Sequence, residues 1–300
     1  MVQQLPRPTA QPSFPETAPA ANPVFFRTYS RQKEVGRESW AEVCDRTVAG
    51  IAKLGQLTSA EAALIARMQK EVKALTSGRW LWIGGTEWIE QQKNFSGGYN
   101  CTSTNVVDWK AFALMMDLAM MGCGTGAMLE PKYISQLPVI QNQISLKVQG
   151  DLGATPTLKR REETEVNITG NQVVVNVGDS RQGWVRSYEA VLEASSDPRF
   201  GGTVEILIDM SDVRPAGEIL KGFGGMANPV KLPDMYSRVA RILNQAVGRQ
   251  LDSIECCLLI DEAAVTIVAG NIRRACPQRR WCIPRRGSFR SPRFEWAISY

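Results

Sequence analysis

The chain has 300 residues, 44% of them hydrophobic, enough to bury a substantial core and to exclude a wholly disordered protein. Its 35 basic and 30 acidic residues leave a net charge of +5, compatible with anionic ligands such as nucleotides but far from a protein that coats nucleic acid. It contains no histidine, so the commonest metal ligand and the commonest general base are missing; no metal site is expected, and chemistry must rest on Cys, Asp, Glu or a cofactor.

Residues 1–23 are rich in Pro, Ala and Gln with few large apolar groups, and predict a disordered tail. From Arg37 the pattern turns helical. RESWAEVCDRTVAGIAKLG sets Trp40, Val43, Val48 and Ile51 near helical spacing, and LTSAEAALIARMQKEVKAL starts with a Thr-Ser-Ala-Glu capping box. SGRWLWIGGTEWIEQQKNFSGGYNCTSTN, with three Trp among glycines, reads as buried loop and short strand. VDWKAFALMMDLAMMGCGTG is an apolar helix stopped by glycines, with Asp108 at its head and a core-facing stripe of Met115, Met116, Met120 and Met121.

NQVVVNV and GGTVEILIDM read as strands, with the helix GDSRQGWVRSYEAVLEAS between them. PDMYSRVARILNQAVGRQL and LDSIECCLLIDEAAVTIVAG form two further helices, the second carrying Cys256 and Cys257 as buried, inert thiols. Alternating helices and strands predict an α/β architecture. After Arg274 the periodicity stops. Eight arginines fall between Arg273 and Arg293, so this segment carries the basicity of the chain, either as a basic disordered terminus or as an out-of-frame translation of a longer gene.

The seven cysteines show no CxxC pair and follow no secretory signal, which predicts reduced thiols and a cytoplasmic location. No apolar run approaches the about 20 residues of a membrane span, so no membrane association is expected. GCGTG at 122–126 follows a helix and lacks the third glycine of a dinucleotide fingerprint, so a Rossmann site is not expected. Cys101 lies in NFSGGYNCTSTN, where Gly97 and Gly98 let backbone approach a ligand. Its residues alone leave a buried structural thiol and a reactive one both open.

The ordered series SGRWLWIGGTEWIE, NFSGGYNCTSTN, VDWKAFALMMDLAMMGCGTGA, VGDSRQGWV, SDVRPAGEILKGFGGMANPVKLP and ECCLLIDEAAVTIVAGNIRR resembles the monomeric, adenosylcobalamin-dependent (class II) ribonucleoside-triphosphate reductases from about Arg27 to Arg274. The resemblance implies a helical region followed by the first half of a ten-stranded α/β barrel. The expected division is a tail at 1–23, a helical region at 24–100, a partial barrel at 101–275 with an effector-site insertion at about 131–210, and the basic tail at 276–300. The chain is thus expected to be an N-terminal fragment.

By resemblance, Cys101 is one of two thiols that become a disulfide as the ribose 2′ hydroxyl leaves as water, in a cycle started by a thiyl radical that adenosylcobalamin generates. The family's radical cysteine and glutamate lie in an Asn-Pro-Cys-Gly-Glu loop, which this sequence does not contain, so the fragment is expected to be inactive; Cys276 and Cys282 match no family motif. The implied partners are a ribonucleoside triphosphate substrate, a deoxyribonucleotide effector and a thioredoxin-type dithiol reductant, with a monomeric intact enzyme that supports DNA replication and makes no direct nucleic-acid contact. Most cofactor contacts are expected outside this chain.

For the effector, the resemblance points to Asp108 on the sugar, to Lys221, Gly222, Gly224 and Gly225 in a first specificity loop, and to Asp179, Ser180 and Trp184 beside the site. Asn271, Arg273 and Arg274 fall in a second loop between effector and substrate base. Each has a plainer reading: a helix-start acid, a flexible turn, an N-cap with a packed aromatic, and a basic solvated turn. Two other functions stay open: a non-catalytic nucleotide-binding module, and a misfolded product of a broken reading frame.

Overall fold

The computed structural model describes residues 14–218 and 229–266. The first elements are helical: α1 (Asn22–Thr28), α2 (Trp40–Gly55), α3 (Ser59–Lys70), α4 (Gly78–Ile83) and α5 (Glu87–Glu90). Both long helices start on complete capping boxes, Ser39 with Glu42 and Thr58 with Glu61, so two orphan amide donors are satisfied at each end. The segment read as buried loop and short strand does end in a strand at Cys101–Asn105, but its tryptophan-bearing part is helical turn. The Ser77 hydroxyl caps Trp80 and the Thr86 hydroxyl caps Ile89, and these caps turn glycine-flanked runs too short for a visible period into α4 and α5.

The part of the expected tail that lies among the described residues, 14–23, is a second difference, because it carries a helical turn at Pro19–Ala21 and the start of α1. The Phe14 ring stacks 5.0 Å from Phe25 and 5.5 Å from Trp40, and this aromatic cluster anchors a stretch whose composition otherwise reads as disorder.

Next comes a β-α-β unit: β1 (Cys101–Asn105), α6 (Trp109–Met120) and β2 (Gly124–Met128), with β1 and β2 parallel. Met115, Met116 and Met121 are fully buried, as the apolar stripe predicts. Gly122, at φ +78°, makes the left-handed turn that ends α6 and starts the return to β2.

After α7 (Pro131–Ile134) the chain builds a four-stranded sheet from β3 (Gln143–Gln149), β4 (Glu165–Thr169), β5 (Gln172–Asn176) and β6 (Thr203–Asp209), in the order β3-β6-β5-β4. β6 runs parallel to β3 and β5, and β4 with β5 forms an antiparallel hairpin. The helix α8 (Arg181–Ser196) joins β5 to β6, and α9 (Leu232–Gln245) and α10 (Ser253–Val265) close the described chain.

Val173, Val175, Val204, Ile206 and Ile208 alternate inward from β5 and β6, and α8 and α9 cover that face. α6 and α10 pack outside them, so one core runs from Phe112 through Tyr188 and Tyr236 to Ile206. β3 is an edge strand, and the Asn244 side chain pairs with both backbone groups of Ile144, accepting from its N–H at 2.7 Å and donating to its carbonyl at 2.9 Å as a further strand would.

Asn142, 1% exposed, fastens the sheet to α8: its amide donates to the Ala194 and Asp197 carbonyls, and its oxygen accepts from Gly202 N–H. Asn142→Ala removes three hydrogen bonds to backbone groups, of which the one to Ala194 is buried, and is expected to lower unfolding stability by about 1–2 kcal/mol, read by chemical denaturation.

Candidate functional site

Cys101 is the first residue of β1, and its thiol is exposed, whereas Cys44, Cys123, Cys256 and Cys257 are buried; all five are free. The parallel register sets Cys101 opposite Gly124 on β2, which has no side chain to cover the sulfur. Behind this pair lies Cys123, fully buried, its thiol donating to the Tyr99 carbonyl at 3.1 Å. Burial raises the Cys123 thiol above its ordinary value, with the Arg79 guanidinium pulling the other way. Burial also pushes Cys44 up to about 11 and Cys256 up to about 12.

The position of Cys101 is set by Arg79 on α4. Its guanidinium donates to the Met121 carbonyl at 2.7 Å and to that of Gly122, so it satisfies the carbonyl end of α6 and complements the helix dipole. The same group reaches the Gly97 carbonyl at 3.3 Å and the Asn100 side chain at 3.4 Å. One cation therefore clips the segment leading into β1 to the turn leading into β2.

Asp108 caps α6: its Oδ1 accepts from Ala111 N–H at 2.8 Å, and the residue is exposed. Ser180 caps α8, accepting from Gly183 N–H at 2.9 Å and donating to the Glu162 carbonyl at 2.6 Å. Asp179 is enclosed, its side chain 8% exposed, between Arg160 at 3.3 Å and Arg214 at 2.7 Å; Arg160 also pairs with Glu218 at 2.8 Å. The Glu218 contact, ahead of Asp179, holds the Arg160 guanidinium above its ordinary value. This cluster sits beyond the carboxyl ends of β5 and β6, the edge where open α/β sheets place ligands. Trp184 is buried in the core, with an indole N–H that has no partner among the described residues.

Lys221, Gly222, Gly224, Gly225, Asn271, Arg273 and Arg274 lie outside the described residues, as do Cys276 and Cys282. The structure does bring together residues the sequence reading passed over. Arg181, the first residue of α8, forms an ion pair with Asp117 of α6 at 2.9 Å and donates to the Lys93 carbonyl. Burial acts against both charges, raising the Asp117 carboxyl and lowering the Arg181 guanidinium. No local signal marks this pair, whose members are brought together only by the packing of α6 on α8. Among the described residues, no group of three or more His, Cys, Asp or Glu could hold a metal ion.

Two outcomes test this geometry. At about pH 8, iodoacetamide should label Cys101 well before Cys44, Cys123, Cys256 or Cys257, as read by peptide mass spectrometry, because the buried thiols are both shielded and harder to ionise. Arg181→Met should cost about 2 kcal/mol at neutral pH by leaving Asp117 charged and unpaired. The raised carboxyl pKa sets the sign: the folded state takes up the proton more readily, so the deficit should shrink as pH falls towards about 4, as followed by denaturant unfolding across pH.

Comparison with known proteins supplies the wider setting. Residues 141–243 match a family model described as the insertion domain of B12-dependent ribonucleotide reductase. The adenosylcobalamin-dependent ribonucleoside-triphosphate reductase of Levilactobacillus brevis is 29% identical over 84% of this chain and 39% of its own length. That of Lactobacillus helveticus is 27% identical over 84% of this chain and 40% of its own length. A crystal structure of a B12-dependent (class II) ribonucleotide reductase superposes with a TM-score of 0.68 at 23% identity, covering 82% of this chain and 40% of that one, a likeness of fold. The chain therefore spans about 40% of the length of the curated relatives it matches.

Proposed function

We propose, on the premise that this chain is a homologue of the adenosylcobalamin-dependent ribonucleoside-triphosphate reductases and carries a match to their insertion domain, that the whole protein reduces ribonucleoside triphosphates to deoxyribonucleotides for DNA replication. The observation that carries this reading is the extent of the likeness, which runs over 84% of the chain and includes residues 141–243.

In this reading Cys101 is one of the two reducing thiols. Removing the 2′ hydroxyl as water requires two electrons and two protons, and two thiols supply both by closing to a disulfide, which an external dithiol of the thioredoxin type reopens. The exposure of Cys101 suits both events, since substrate and reductant must each reach the sulfur. A buried thiol such as Cys123 could serve neither. The five cysteines among the described residues are free, which suits a reducing cytoplasm, and no described helix is long and apolar enough to cross a membrane.

The relatives' cofactor is adenosylcobalamin, and this sequence of 300 residues contains no histidine that could ligate its cobalt. No Asn-Pro-Cys-Gly-Glu string occurs in the 300 residues either. The radical step is assigned to parts of the whole protein other than these.

The effector reading divides the remaining candidates by exposure. Asp108 is exposed, so its carboxylate can accept a ribose hydroxyl while Oδ1 holds the helix cap. Asp179 is enclosed by two arginines, so its part is to fix the start of α8 rather than to meet a ligand. Ser180 caps that start and Trp184 seats it in the core. Lys221, Gly222, Gly224 and Gly225, with Asn271, Arg273 and Arg274, complete the proposed nucleotide contacts. A monomeric enzyme is the accompanying expectation.

The test is turnover of ribonucleoside triphosphate with adenosylcobalamin and a dithiol. In the whole protein, Cys101→Ser should abolish reductant-dependent turnover, a loss of at least about a thousandfold, while effector binding persists. The 300-residue chain alone should bind a deoxyribonucleoside triphosphate without turnover. Turnover by that chain would overturn the assignment of the radical step, and failure of either chain to bind nucleotide would overturn the effector reading.

A further inference from the structure

Cys101 and Gly124 face each other across the two parallel strands. A methyl group placed on Gly124 would lie 3.8 Å from the Cys101 sulfur and 3.6 Å from the Asn100 carbonyl oxygen. Both are ordinary van der Waals distances, so one carbon fits. The backbone at Gly124 is not in the left-handed region, so the absence of a side chain there is not explained by chain conformation. The local pairing is likewise complete, since Gly124 N–H donates to the Asn100 carbonyl at 2.8 Å.

We infer that Gly124 is a specificity-determining residue of the proposed reduction site: its missing side chain leaves the space through which the sugar edge of a ribonucleotide reaches the Cys101 sulfur. This inference rests on the reading of Cys101 as a reducing thiol. Reaction at the sugar requires the reacting atoms to come within about 3.5 Å of each other. Two flanks of the Gly124 position are already taken, by the Asn100 carbonyl and by the thiol itself. A β-branched side chain carries two methyls from the same Cβ and turns stiffly about χ1, so it places bulk over the sulfur that it cannot swing away.

Arg79 makes the restriction firm. It holds the carbonyls of Met121 and Gly122 just before β2 and that of Gly97 ahead of β1, which opposes a parting of the strands to admit a larger residue. The clearance over the thiol is then set by side-chain volume at position 124.

The experiment is the rate of modification of Cys101 in the 300-residue chain by a small reagent, iodoacetamide, and by a bulky one, dithiobisnitrobenzoate. Rates are read at the Cys101 peptide, with Cys101→Ser as the blank and circular dichroism as the check on folding. Gly124→Ala should leave the iodoacetamide rate within about twofold, and Gly124→Val should slow the bulky reagent by about tenfold and iodoacetamide by less. Equal rates in folded wild type and Gly124→Val overturn the inference. If Gly124→Val does not fold, the bulky reagent on Gly124→Ala decides, with slowing of about twofold or more expected and no slowing overturning it. The outcome is separable from that for Cys101 itself: turnover that survives Cys101→Ser in the whole protein removes the reducing role, whatever the modification rates show.

Discussion

The geometry around Cys101 depends on one guanidinium. Arg79 gathers carbonyls from three places, the turn after α6, the segment before β1 and the side chain of Asn100, and so fixes where two parallel strands begin. Carbonyls at a helix end have no partner within the helix, and a planar five-donor cation can satisfy several of them at once. The thiol is exposed because it lies on the open face of β1 with Ser103 and Asn105, and the residue opposite it is glycine. A lysine in place of Arg79 would present one point charge and could not hold both strand starts in the same way.

A second constraint ties this unit to the four-stranded sheet. α6 packs on α8, and where they cross, Asp117 meets Arg181. Removing charge from water is costly, so such a pair contributes more to the choice of one packing arrangement than to stability. Arg181 follows Ser180 and Asp179, whose carboxylate is locked by Arg160 and Arg214. The start of α8 is thus held from both sides, by the sheet it leaves and by the helix it leans on.

Much of the candidate site was legible only through resemblance. Composition and spacing left Cys101 open between a structural and a reactive thiol. The ordered motifs singled it out, and the structure then supplied its exposure. The caps at Asp108 and Ser180 were legible locally, because a short polar side chain ahead of an apolar period is itself the signal. The enclosure of Asp179 was not, since Arg160 and Arg214 lie on other segments.

The sequence by itself determined the long helices and two of the strands, because capping, periodicity and glycine stops act within a few residues and do not wait for the rest of the chain. The three capping boxes, Ser39 with Glu42, Thr58 with Glu61 and Asp252 with Glu255, the methionine stripe and the alternating valines of β5 are of this kind. Only the tertiary structure decided what joins over distance. β2, Gly-Thr-Gly-Ala-Met, has no alternation and exists through its pairing with β1, whereas β3 (Gln-Ile-Ser-Leu-Lys-Val-Gln) and β4 (Glu-Val-Asn-Ile-Thr) do alternate and were passed over in the sequence; Asn244 finds Ile144 from 100 residues away. The ordering of Phe14 belongs to the same group, since it rests on the rings of Phe25 and Trp40. Local interactions are written in neighbouring residues; pairings that must first close a long loop are written only in the surfaces that the folded chain brings together.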